Sequence, residues 1–370
     1  MKKIGILTFH RSINYGSVLQ ATALYRLIST HFNNYSVEII NINYLNREFI
    51  DFFKYIRNSP LCIFNAFLLK HYLNKNVKLS KFKYFKNIDE GIEYINAQKY
   101  EIIITGSDEI WKKNNILSIP NIYWLPPGIN SIKISFAASA NNTNYSDYTY
   151  KEILFIESCL KHYHMIIVRD QHTKQLISNF TKKNIYNICD PTFLVDWPYK
   201  SIHLTFFLSK INFRKKIIAI MIGNKNISWI INHFNNSDYE LISINKPHKG
   251  TKYMWWLSPT DFSNIFRHCD LIFTSYFHGT IFSIINHSSF ICLDYKNYRQ
   301  SKSKILDLLI NCDLESRYYS CSDPQKINKS EILSLADMLL SHDNTDYNKI
   351  TEKQKNNLNI ILENLKKIIK

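Results

Sequence analysis

The chain has 370 residues, 45% hydrophobic and 14% aromatic, which excludes a disordered protein and suits about two globular domains. Lys and Arg number 46 against 30 Asp and Glu, a formal charge of +16, so partners are expected among acidic small molecules and anionic surfaces. No zinc-finger, RNP-type or basic-zipper pattern accompanies that charge, so no nucleic-acid partner is expected.

Seven cysteines, at 62, 159, 189, 269, 292, 312 and 321, form no C-x-x-C pair, which argues for reduced thiols in a cytoplasm and against a disulfide framework or structural zinc. The opening Met1-Lys-Lys-Ile-Gly-Ile-Leu-Thr-Phe9 has an apolar run too short for a signal peptide and reads as a first strand. No apolar stretch approaches the length of a membrane span, although contact with a membrane surface stays open.

In chain order, Ile4–Phe9 reads as a strand and Ser17–Thr30 as a helix with Ser17 as its N-cap. Asn14 and Gly16 then lie at a strand-to-helix edge, where helix N–H groups favour an anion or a sugar. Val37–Ile42 reads as the next strand. The stretch Phe52–Ile88 has no acidic residue and carries Lys54, Arg57, Lys70, Lys75, Lys78, Lys81, Lys83 and Lys86 among aromatics. It is either a helical hairpin with a solvated basic face or a face laid on an anionic membrane or acceptor.

Tyr100–Thr105 is a buried strand running into Gly106-Ser-Asp-Glu-Ile-Trp111, where Asp108 is either a helix cap or a polar group aimed at the crevice. Strands follow at Ile132–Ala138 and Met165–Val168, with helices at Glu152–His162 and Thr173–Phe180. Arg169 closes the second strand, where its fork suits a phosphate or carboxylate unless Asp170 or a neighbour holds it in a salt bridge. Asp190-Pro-Thr192 is turn chemistry at the end of this half.

Trp197–Lys216 reads as a linker with an edge segment. Strands Lys216–Ile222 and Tyr239–Ile244, with helices Ile227–Phe234 and Pro259–His268, then begin a second α/β half. Leu271–Thr274, Thr280–Asn286 and Phe290–Leu293 form a strand–helix–strand unit, with His278 and Gly279 at the turn. Ligands in such sheets sit beyond the strands' carboxyl ends. His278 there can hold or deliver a proton beside an anion, or simply brace the turn. Lys302–Leu309 is a helix with Lys304 near the same edge. Thr351–Lys370 is an amphipathic helix with Leu358, Ile361, Leu365, Ile368 and Ile369 on one stripe and lysines opposite, suited to docking on the body or else to a membrane surface. No P-loop and no clean G-x-G-x-x-G occurs.

Seven segments in register resemble the bacterial polysaccharide pyruvyl transferase family: Gly5-Ile-Leu-Thr-Phe9 with Asn14-Tyr-Gly-Ser-Val-Leu-Gln-Ala-Thr-Ala-Leu24, Gly106-Ser-Asp-Glu-Ile-Trp111, Ser135-Phe-Ala-Ala-Ser139, Val168-Arg-Asp170, Asp190-Pro-Thr192, Ser258-Pro-Thr-Asp-Phe262, and Phe277-His-Gly-Thr-Ile-Phe-Ser-Ile-Ile285. They run from residue 4 to about 310. Glu109, Lys112, Asn141, Tyr276 and Lys304 depart from common family residues. The resemblance implies an α/β fold of two Rossmann-like domains facing across a cleft, similar to GT-B glycosyltransferases. The domains expected are 1–197, with a basic helical insertion at 48–90, then 215–345, then a C-terminal helix at 350–370.

The resemblance further implies transfer of a pyruvyl group from phosphoenolpyruvate onto two hydroxyls of a sugar in a cell-surface polysaccharide (capsule or O-antigen) or its lipid-linked precursor. A cyclic ketal forms and phosphate leaves, with no cofactor and no metal. In that reaction His278 is expected as the acid and Asp108 as the base. Arg169, Lys304, Gly279, Asn14 and Gly16 are expected to hold the donor's phosphate and carboxylate, and Trp111, Glu109 and Tyr276 to face the acceptor. The enzyme is expected in the cytoplasm, attached peripherally to the inner face of the membrane. The alternative is a GT-B glycosyltransferase using a nucleotide sugar, with His278-Gly279 on the diphosphate and Asp294 on the ribose.

Overall fold

The computed structural model describes residues 1–44, 61–113, 118–197, 202–223, 226–255, 257–295, 303–323 and 326–369. They divide into two compact units, one of Met1–Val195 with Gln354–Lys370 and one of Asp196–Arg299 with Ser303–Lys353.

The first unit runs β1 (Lys3–Leu7), α1 (Tyr15–His31), β2 (Ser36–Ile39), β3 (Ile42–Tyr44), α2 (Leu61–Asn76), β4 (Lys83–Phe85), α3 (Ile88–Ala97), β5 (Ile102–Asp108), β6 (Ile132–Ala138), α4 (Tyr150–Lys161), β7 (Tyr163–Val168), α5 (Gln171–Ser178) and β8 (Ile185–Asn187). Its main sheet has the order β2-β1-β5-β6-β7-β8, with every pair parallel. Continuous Ile-rich runs such as Ile102-Ile-Ile104, fully buried, fit a sheet covered on both faces. Local signals set the helix starts. Thr149 and Glu152 form a capping box at α4, and Asp170 caps α5 by accepting from the Thr173 N–H at 2.7 Å.

The second unit runs α6 (Ile202–Leu208), β9 (Lys216–Met221), α7 (Ser228–Phe234), β10 (Tyr239–Ile244), β11 (Lys252–Met254), α8 (Pro259–Ile265), β12 (Leu271–Thr274), α9 (Phe277–Ile285), β13 (Ser289–Asp294), α10 (Lys304–Asn311), β14 (Tyr318–Ser320) and α11 (Lys329–Ser341), followed by α12 (Tyr347–Ile368). Its sheet is again all parallel, in the order β11-β10-β9-β12-β13-β14. Ser258 and Asp261 box the start of α8, with Pro259 at the first helical position. Buried Arg317 donates to Asp343 at 2.6 Å and to the Tyr347 hydroxyl at 2.8 Å, pinning the approach to α12. From Gln354 on, α12 belongs with the first unit. It buries Leu358, Ile361, Leu362 and Leu365, and Asn357 donates to the Asn187 carbonyl at 3.2 Å.

Several elements differ from the sequence reading. The basic stretch is not a helical hairpin in its described part: after α2, Lys83–Phe85 leaves the helix and pairs in parallel with β3. Lys54 and Arg57 lie outside the described residues. The strand expected over Val37–Ile42 breaks after Ile39, where Asn41 turns its backbone N–H to the Ser80 hydroxyl at 2.9 Å. The expected linker contains α6. The stripe of Ile332, Ala336 and Leu339 forms α11, which the sequence reading did not include. Among the described residues, no helix is long and apolar enough to cross a membrane.

Candidate active site

In the first unit, the polar residues expected at the site gather at the carboxyl edge of the parallel sheet, because each strand there ends at a loop before the next helix. Asp108, Ala138 and Val168 lie level across β5, β6 and β7. The Ser139 N–H donates to the Asp108 carbonyl and the Arg169 N–H to the Ala138 carbonyl, each at 3.0 Å, so the ladder continues past the strand tips. At Gly106, φ is +126° and a Cβ would stand 2.1 Å from the Phe136 carbonyl oxygen, so only glycine fits. Asp108 has φ +76° and turns its carboxylate back to accept from the Glu109 N–H at 2.8 Å. It caps no helix, for β5 runs to Asp108 itself. Asp108 and Glu109 both keep partial exposure, and Glu109 pairs with Lys112 at 3.4 Å.

Three expected ligands of this edge are placed differently. Asn14, not Ser17, caps α1: its side-chain oxygen accepts from the Gly16 and Ser17 N–H groups at 2.8 and 3.4 Å. The amides expected to meet an anion at Gly16 are thus engaged by the chain itself. The Arg169 side chain is 2% exposed and pairs with Asp190 at 2.9 Å, so its fork is turned into the protein. Burial alone would lower the Arg169 pKa, but Asp190, Asp108, Asp170 and Glu109 more than offset that and raise it. Trp111 is core: its ring lies flat on Trp124, centroids 4.8 Å apart, and its N–H donates to the Tyr123 carbonyl at 3.3 Å.

The sequence reading overlooked Gln20, fully buried in α1. Its amide donates to the carbonyls of Phe9 at 2.8 Å and Ser17 at 2.9 Å, and its oxygen accepts from the Ser107 hydroxyl. It ties the β1 loop to the tip of β5. A polar residue amid the apolar run Val18-Leu-Gln-Ala21 was the available signal.

In the second unit, Tyr276, His278, Gly279 and Lys304 come together. The helix α9 begins at Phe277, so His278 and Gly279 belong to its first turn instead of preceding it. Tyr276 is the N-cap residue and supplies no side-chain cap. The first intrahelical bond runs from the Thr280 N–H to the Tyr276 carbonyl at 3.0 Å, which leaves the N–H groups of Phe277, His278 and Gly279 without an intrahelical acceptor. Gly279 is required by packing: a Cβ would stand 2.3 Å from the Thr274 hydroxyl and 2.9 Å from the Met221 sulfur. The His278 ring is partly exposed and meets Phe277 edge-on at 5.4 Å. Burial raises the pKa of the Tyr276 phenol.

Lys304 opens α10, and its ammonium lies 5.1 Å from the Phe277 ring centroid. The start of α10 is capped by Ser303, whose hydroxyl accepts from the Ile305 N–H at 3.2 Å, whereas the start of α9 has no side-chain cap. It is therefore the α9 start together with the Lys304 ammonium that attracts an anion beyond β12. Asp294, at the tip of β13, is 2% exposed and accepts from the hydroxyls of Ser303 at 2.5 Å and Tyr318 at 3.3 Å. Among the described residues, no three His, Cys, Asp or Glu side chains are grouped to hold a metal ion.

The polysaccharide pyruvyl transferase family model matches residues 14–297. The chain belongs to that family. A comparison with curated proteins finds no match. Among solved structures, this pyruvyl transferase family member is similar to UDP-GlcNAc 2-epimerases. That from Neisseria meningitidis has TM-score 0.58 and 10% identity, covering 99% of this chain and 100% of the other. That from Methanocaldococcus jannaschii has TM-score 0.57 and 11% identity, with 98% of each chain covered. A Streptomyces nogalater glycosyltransferase has TM-score 0.50 and 7% identity, covering 100% and 99%. At such identities the likeness establishes the fold, an α/β architecture of the GT-B type with two parallel sheets and a C-terminal helix.

Proposed function

We propose that the chain transfers the pyruvyl group of phosphoenolpyruvate to a sugar diol, forming a cyclic ketal and releasing phosphate. The observation that carries this reading is the uncapped start of α9, with His278 in its first turn and the Lys304 ammonium over the neighbouring Phe277 ring, in a chain of this family. The donor is a compact dianion or trianion, and its phosphate and carboxylate suit an uncapped helix start and an ammonium.

In the reaction, His278 gives a proton to the donor's methylene carbon, which becomes a methyl group, and positive charge develops at the neighbouring carbon. A sugar hydroxyl adds there, and its proton goes to a base, for which Asp108 is the candidate. The second hydroxyl then displaces phosphate from the same carbon. Of the two hydroxyl protons, one balances the methyl group formed and the other leaves with phosphate. Glu109 and Tyr276 remain candidates for acceptor contact. The buried state of Asp294 disfavours the alternative in which it binds a ribose.

A thermal-shift comparison tests the reading, followed by phosphate release from phosphoenolpyruvate with sugar diols. Stabilisation by phosphoenolpyruvate with acceptor-dependent phosphate release supports it. Stabilisation by a nucleotide sugar alone, with no phosphate released, defeats it. Peripheral membrane attachment is part of the same proposal, because α2 and the strand after it are basic and free of acids. Sedimentation with anionic vesicles should occur at low salt and fail at high salt.

A further inference from the structure

A cavity of about 680 Å³ lies within the first unit, bounded by the β1–α1 loop, β3, β4 and α2. That volume falls within the range of roughly 300–1,000 Å³ usual for small-molecule sites. None of the residues assigned above to the reaction lines it.

Its walls divide by chemistry. Ala66, Leu69 and Leu73, at helical spacing on α2, give one aliphatic wall, continued by Ile42 and Leu79. Arg11 and Lys70 supply the cations, and the Arg11 guanidinium lies 4.2 Å over the Phe82 ring. Asn41 orients Arg11, accepting from it at 3.2 Å. Asn43 also lines the cavity. It is 8% exposed. The buried Ser12 hydroxyl, also in the lining, has no hydrogen-bond partner among the described residues. A buried hydroxyl of this kind is costly unless a ligand or water satisfies it. A simple sugar makes no use of the aliphatic wall, and a neutral hydrocarbon makes no use of the polar and basic side of the lining.

We infer that this cavity binds an anionic amphiphile, a hydrocarbon chain ending in a phosphate ester. The chain lies along Ala66, Leu69 and Leu73, and the phosphate meets Arg11, Lys70 and the Asn43 amide. The outer side of α2 fits delivery from a membrane: Phe64 and Phe67 are exposed, and the stretch from Leu61 to Ile88 holds six lysines and no acid. The inference deepens the acceptor side of the proposed function, where such an ester would be the acceptor's carrier, but binding can be measured without turnover.

The probes are farnesyl phosphate, farnesol and inorganic phosphate, each titrated calorimetrically against the full chain below the aggregation threshold of the lipid. Farnesyl phosphate should bind at least tenfold more tightly than either of the others. Ala66→Trp fills the cavity and should abolish that binding, and Arg11→Gln should weaken it at least fivefold. If Ala66→Trp melts early by circular dichroism, Asn43→Asp replaces it and should reduce binding of the phosphate ester but not of farnesol. Equal binding of farnesol, equal binding of inorganic phosphate, or undiminished binding by the variants overturns the inference. Stabilisation by phosphoenolpyruvate, measured on the same samples, reports separately on the proposed reaction.

Discussion

Arg169 and Asp190 form a 2.9 Å ion pair in which both side chains are at most 2% exposed. The Thr192 N–H and hydroxyl occupy the second carboxylate oxygen, at 3.0 and 2.7 Å. The pair therefore holds the tip of β7 to the turn after β8. Removing one partner of such a pair strands the other charge, at a cost of roughly 3–5 kcal/mol. Asp190→Ala should lose about that much in urea unfolding. An unchanged midpoint would deny the pair its structural role.

His278→Gln should lower kcat by about 10²–10⁴-fold, the usual contribution of a general acid, while the melting temperature stays close to wild type. An acid must be protonated to act, so wild-type kcat should fall along an alkaline limb. That limb should be missing in the variant. Near-normal turnover with the limb intact would remove His278 from the reaction.

Gly279→Ala should destabilise by about 1–3 kcal/mol, since the added methyl meets the Thr274 hydroxyl at 2.3 Å in a packed contact. Combining it with Thr274→Ala removes that atom. The double variant should then cost less than the two single changes added together. Strict additivity would point to a different origin for the glycine requirement.

Lys133 is 2% exposed and donates to the Pro126 carbonyl at 2.6 Å. Burial lowers its pKa from 10.5 to about 8. Between those values the unfolded chain binds more protons than the folded one, so this group makes stability rise with pH there. Below pH 8 the charged amine costs the fold about 1–3 kcal/mol. Lys133→Met should be more stable than wild type at pH 7, and the advantage should shrink towards pH 10. A pH-independent difference would show that the ammonium is not the cause.

The strand–helix alternation was legible because buried parallel strands are continuous apolar runs. Ile132–Ala138, Tyr239–Ile244 and Leu271–Thr274 are placed as read. Side-chain direction was less legible. Arg169 and Trp111 lie beside the expected edge in sequence, yet one turns into a salt bridge and the other into the core. Which way a strand-end side chain turns depends on partners far along the chain, Asp190 and Trp124 here. Asn14 was read as a ligand because its position fits one. Its own capping bonds to Gly16 and Ser17 appear only when the loop geometry is known.

The missing side-chain cap at Tyr276 sets stability and turnover against each other. An aspartate at that position would accept from the first-turn N–H groups, a cap usually worth about 0.5–2 kcal/mol. Its carboxylate would then sit where the donor's anion is proposed to bind. Tyr276→Asp should raise the melting temperature and, by acting as a tethered competitor, raise the KM for phosphoenolpyruvate. On the proposed donor site, selection for thermal robustness alone would drive this protein towards inactivity, because a cap at the start of α9 would take the donor's place.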